Sequence, residues 1–97
     1  MNPWKPDACP QQARRIGKTL EELGELTAVL ARISIQGMDE IDPSSGKTNR
    51  QRLLEETADV IGQFECNVRA FDMDTVAMAE RAEMKSQQMS QWEAHFQ

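Results

Sequence analysis

From Gln11 to about Ile35, the residues Ile16, Leu20, Leu23, Leu26, Leu30 and Ile33 recur at steps of three or four. That is the period of an α-helix and not of a strand. A turn-rich segment, GMDEIDPSSGKT over positions 37–48, ends the run with its Gly, Pro, Ser and Asp. The helical spacing then resumes with Leu53, Val60, Phe64, Val68 and Phe71, predicting a second helix from Asn49, its expected cap, to about Ala70. Asp74 is placed to cap a third, from about Thr75 to Trp92, whose Ala- and Met-rich pattern is the weakest of the three. No strand-like alternation and no internal repeat interrupts this order. The expectation is an all-α single domain over 1–97, a bundle of three main helices, with 1–10 as an irregular arm carrying Pro3, Pro6 and Pro10.

Three helices are few for a bundle that must enclose a site. A lone globule of 97 residues has a marginal core, so association with further copies is expected. The net charge of -5 argues against a general nucleic-acid binder, because phosphate backbones reward Lys and Arg. A small phosphorylated ligand stays open, since a divalent metal can reverse the local charge. The apolar runs are too short to cross a bilayer and no charged-then-apolar leader begins the chain, so no membrane role is expected. Cys9 and Cys66 form no CxxC pair and suggest no disulfide framework, which makes a cytoplasmic location the default. One histidine, His95, leaves little room for His-based zinc sites or Ser-His and Cys-His catalysis. The chemistry must come from carboxylates.

Two acidic clusters stand on consecutive helices: Glu21-Glu22-Leu23-Gly24-Glu25 and Glu55-Glu56-Thr57-Ala58-Asp59. Stepping ~100° per residue places Glu22 on the shoulder of the first apolar side, Glu25 further round and Glu21 almost opposite. On the second helix Glu56 flanks the apolar side, Asp59 sits further round and Glu55 points away. Each helix thus offers one pair, Glu22/Glu25 and Glu56/Asp59, and one spare glutamate. Acidic pairs at this spacing are common on solvated faces. Their repetition on two consecutive helices, both bordering apolar stripes, points instead to a cation, without which four converging carboxylates repel one another. Oxygen ligands suit Mg²⁺, with Mn²⁺ as a substitute, rather than zinc. The Glu-x-x-His of carboxylate di-iron bundles is absent.

EELGE followed by EETAD resembles the EExxE…ExxD signature of the MazG-like all-α nucleoside triphosphate pyrophosphohydrolases, a likeness that covers roughly Ile16 to Trp92. The stretch RISIQGMDEIDPSSGKTNRQRLLEETADV is most similar to small stand-alone phage and bacterial members. The resemblance implies Mg²⁺-dependent hydrolysis of an NTP or dNTP to the monophosphate and pyrophosphate, in a homodimer or homotetramer with pockets at helix interfaces. It carries the metal ligands to Glu22, Glu25, Glu56 and Asp59, the four residues that the wheel selects, and leaves water activation to either Glu22 or Glu25. A phosphoribosyl-ATP pyrophosphatase-like activity is the neighbouring alternative. A catalytically silent helical oligomer, serving as a binding or regulatory module, is the alternative from another class. Related chains often continue the last helix with Lys, then Asn and Arg toward the nucleotide. Lys85 fits the first place, but Met89 stands where Asn is expected, which puts substrate identity in doubt.

Substrate contacts are expected from Lys18, Arg81, Lys85, Asn67 and Trp92. Lys18 can approach a phosphate, although an i,i+4 pair with Glu22 is the better reading; Arg52 before Glu56 has the same ambiguity. Arg81, Lys85, Gln88 and Trp92 share one side of the third helix, suiting a phosphate tail and a base, or an exposed face with one packed tryptophan. Asn67 suits a base edge or a subunit interface, and Trp4 either closes over a base or pins the arm. Gly17, Gly24, Ala28 and Ala31 form a small-residue stripe fit for close helix packing. Ser45-Gly46-Lys47-Thr48 imitates the end of a P-loop, but Ile41 stands where that motif requires glycine.

Overall fold

The computed structural model describes residues 9–96; the expectations for Trp4 and for the arm up to residue 8 fall outside them. Three helices follow in order: α1 (Pro10–Gln36), α2 (Asn49–Ala70) and α3 (Thr75–Ala94). The all-α expectation holds, and α2 has the expected bounds. No strand forms among the described residues beyond an isolated bridge, Ile41 to Thr48. No helix is long and apolar enough to cross a membrane. The chain divides into two compact units, Met1–Cys66 and Asn67–Gln97.

In the first unit α1 and α2 form an antiparallel hairpin. Pro10 belongs to α1 rather than to the arm, because proline fits the first helical turn, where its missing N–H has no partner to lose. Gly37 ends α1 at φ 86°, and its N–H donates to the Ile33 carbonyl at 2.7 Å. The connecting loop is ordered by its own hydrogen bonds. Asp42 N–H donates to Lys47 O and Gly46 N–H to Asp42 O, both at 2.8 Å. Gly46, at φ 72°, supplies the left-handed residue that this turn requires.

The start of α2 corrects the expected cap. Thr48, not Asn49, caps the helix: its hydroxyl accepts from Gln51 N–H at 3.2 Å, while the Gln51 side-chain oxygen accepts from Thr48 N–H at 3.0 Å. This reciprocal pair is a capping box. Asn49 is the first helical residue, fully buried, and its amide donates back to Gly37 O at 2.9 Å. It staples the end of α1 to the start of α2.

The buried side of the hairpin also differs from the expected apolar side. On α1 the least exposed positions are Arg15, Thr19, Glu22, Leu26, Val29 and Ile33, at alternating steps of four and three, together with Arg32 beside the last of them. On α2 they include Asn49, Leu53, Glu56, Val60 and Gln63. This is the seam of two packed helices. Val29, absent from the expected stripe, is buried with Val60, whereas Ile16, Leu20, Leu23, Leu30 and Phe64 are exposed. The wheel centred on the leucines, and so placed the seam about one residue off. Glu22 and Glu56 therefore lie in the seam, not on its shoulder.

The second unit holds the end of α2, a turn and α3. The turn is a Schellman-type C-cap: Met73 N–H reaches Val68 O at 3.1 Å and Asp72 N–H reaches Arg69 O at 3.4 Å, with Asp72 left-handed at φ 49°. Asp74 caps α3 as expected, accepting from Val76 and Ala77 N–H at 3.1 and 3.0 Å. The helix continues two residues past Trp92 and contains no buried residue.

Candidate metal centre

Glu22 projects from α1 and Glu56 and Asp59 from α2, and one carboxylate oxygen from each lies within 4.8 Å of the other two. The hairpin brings them together because the steps that place Leu26 and Val29, or Val60, in the seam place Glu22 and Glu56 there too, while Asp59, one turn after Glu56, reaches in from the exposed side. The Glu22 side chain is only 15% exposed. One oxygen of Glu22 (Oε2) and one of Glu56 (Oε2) are buried with no hydrogen-bond partner. A buried carboxylate oxygen without a donor is costly, and two facing each other from neighbouring helices are more so. Burial first, then the charges of Glu25 and Asp59, push the Glu56 carboxyl above its ordinary range; Glu22 adds to the rise and Arg52 opposes it.

Glu25 stands apart from the trio and is exposed, although its charge is felt at Glu56. The spare glutamates face water, as the wheel predicts. Glu55 pairs with Lys47 at 2.8 Å, a partner the sequence reading did not propose. Lys18 pairs with Glu21 at 3.3 Å and with Glu22 at 3.5 Å, so the expected i,i+4 pair forms beside a shorter i,i+3 one. Hydrogen bonding to Glu21, then its charge, raises the Lys18 pKa.

The remaining substrate candidates belong to the other unit. Arg81, Lys85 and Trp92 are exposed on α3, and Asn67 is buried near the end of α2. Trp92 packs edge-on against Phe96 at a centroid distance of 5.0 Å while remaining exposed. Among the described residues Gly17 and Gly24 have nothing within 4 Å of where a Cβ would stand, so no close helix contact accounts for these two glycines there.

The residue that sequence reasoning missed is Asp42. It is 2% exposed and takes Arg32 Nη1 at 2.6 Å, the Ser44 hydroxyl at 2.8 Å and Ser45 N–H at 3.1 Å. Hydrogen bonds from Ser45 and then Ser44, with the charge of Arg32, outweigh burial and hold its carboxyl at about 2. The Asp-Pro-Ser-Ser spacing was the available signal, since aspartate before such a turn bonds the backbone that follows.

The donor set suits a hard divalent cation, because all three groups are carboxylates and two carry buried oxygens that no protein donor satisfies. No family model matches the chain, and neither a curated protein nor a solved structure matches it.

Proposed function

We propose that this chain is a Mg²⁺-dependent nucleoside triphosphate pyrophosphohydrolase of the MazG-like type, acting as a cytoplasmic homo-oligomer. The observation that carries the proposal is the pair of buried, donorless oxygens on Glu22 and Glu56, in the two motifs EELGE and EETAD. Glu22, Glu56 and Asp59 would hold the cation. When bound, magnesium neutralises charge on the triphosphate and acidifies a water. Exposure and its place outside the trio favour Glu25 over Glu22 as the group that takes the proton of an attacking water. The resemblance gives Lys85 as the cation for the phosphates.

Two unpartnered stripes support the oligomer. Ile16, Leu20, Leu23 and Leu30 on α1, and Leu54, Ile61 and Phe64 on α2, are exposed at helical spacing. Val29 and Val60 are the only hydrophobic residues buried among those described. So small a core calls for burial against another copy. The test is pyrophosphate release from a panel of NTPs and dNTPs, common and modified, with magnesium and with chelator. Metal-dependent release with the monophosphate as co-product is expected. Silence across the panel from a folded oligomer that binds metal would reject the activity and favour a binding module.

A further inference from the structure

Arg52 stands one turn before Glu56 on α2, a spacing from which an arginine can pair with a carboxylate. Glu56 has an oxygen that lacks any donor. Arg52 nevertheless turns to the loop: its Nη1 lies 3.6 Å from Oδ2 of Asp42, and no ion pair joins it to Glu56 among the described residues. Asp42 is well placed to hold it. The Asp42 carboxylate is fixed by Arg32, Ser44 and Ser45, and its own N–H and C=O are both engaged in the loop turn. Hydrogen bonds from Ser45 and Ser44 hold its carboxyl well below the usual carboxylate range.

We propose that Asp42 is a positioning residue for the cation site: it engages Arg52, holds that guanidinium off Glu56, and leaves the Glu22, Glu56 and Asp59 oxygens open to a divalent cation. This rests on the metal reading above. Arg52 still tempers the repulsion at Glu56 through its charge, without occupying a ligand oxygen. Without Asp42, the donorless Glu56 carboxylate one turn along α2 is within the reach of Arg52, and an internal cation would compete with the external one.

The test is calorimetric titration of Mn²⁺ into the full chain, with circular dichroism recorded on every variant. Asp42→Asn is expected to weaken binding by about tenfold or more, the range for disturbing an outer partner of a metal site. Adding Arg52→Gln to Asp42→Asn should recover most of that loss. Both variants carry the same loop change, so the ratio of their affinities isolates Arg52 even if the loop is weakened. Arg32→Gln removes one of the groups that fix Asp42 and, because Arg52 can still engage that carboxylate less firmly, should weaken affinity less than Asp42→Asn. Unaltered binding by Asp42→Asn would overturn the proposal. So would a loss that Arg52→Gln does not relieve, since Asp42 would then only brace the loop. A folded wild type that binds no Mn²⁺ would remove the metal reading first and this inference with it.

Discussion

The α1–α2 hairpin and α3 each carry residues that the sequence marks for chemistry, but they hold them differently. Glu22 and Glu56 lie in a seam where half-buried neighbours and the stapled loop restrict them. Arg81 and Lys85 lie on a helix with no buried residue, beside Met84, Met89 and Trp92, which are exposed as well. A metal centre can be built by one hairpin, because its ligands come from two helices joined by twelve ordered loop residues, 37–48. Nothing in α3 is buried, so no packing fixes the side chains of Arg81 and Lys85 as it does those of the seam. On the proposed reading the hairpin alone carries the metal chemistry, and the α3 residues are candidates for substrate contact only.

The largest expected effect breaks the hairpin's half. Glu56→Gln should lower pyrophosphate release by at least about 100-fold, since disturbing even an outer partner of a metal costs up to that much. Helix content should be unchanged by circular dichroism. Glu55→Gln removes only an exposed pair with Lys47 and should leave turnover near wild type. Equal losses would show that the seam does not select the ligands.

Lys85→Ala probes the other half. A lost charged hydrogen bond to phosphate predicts a KM about tenfold higher or more, with kcat little altered. Mn²⁺ affinity and the unfolding midpoint should not move, because the side chain is exposed and remote in sequence from the ligands. A fall in kcat with unchanged KM would place Lys85 in the chemistry and erase the division between the two regions.

Smaller still is Thr48→Ala, which removes the capping box at α2. Urea unfolding should show a loss of about 1 kcal/mol. No loss would mean that the Asn49 staple alone sets the hairpin.

The sequence carried the all-α class and the helix limits to within two residues, because period and punctuation are local properties. It also selected four acids, of which Glu22, Glu56 and Asp59 meet while Glu25 stands outside the trio. It misplaced the seam, since Leu20, Leu23 and Leu30 outweigh Val29 in hydrophobicity while only packing decides which stripe faces its own chain. The cap was legible as Thr-x-x-Gln, yet Asn49 next to it is an equally good capping type. Asp42 was hidden for another reason. Its role depends on Arg32 and Arg52, ten residues away on either side, and no local pattern reports a three-residue ion pair.

The pH profile sharpens the same contrast with a modest signal. In chelator, Glu56 has a raised folded pKa, so the folded state holds its proton more firmly than the unfolded chain. Its contribution should make the fold more stable as pH falls from neutral toward the ordinary 4.5. Asp42 is depressed, so its contribution is present above 3.8 and is lost as pH falls toward about 2. The midpoint of thermal unfolding should therefore rise slightly on mild acidification and then drop. Magnesium should abolish the first rise, because the metal prefers the ionised trio.

The most direct test of the central claim is thermal unfolding of wild type and Glu56→Gln during Mg²⁺ titration. A ligand at 100 times its dissociation constant stabilises by about 2.7 kcal/mol. The account predicts a saturable rise in midpoint for wild type and none for Glu56→Gln, which should itself be no less stable than wild type in chelator. Identical behaviour of the two proteins across the titration would contradict it.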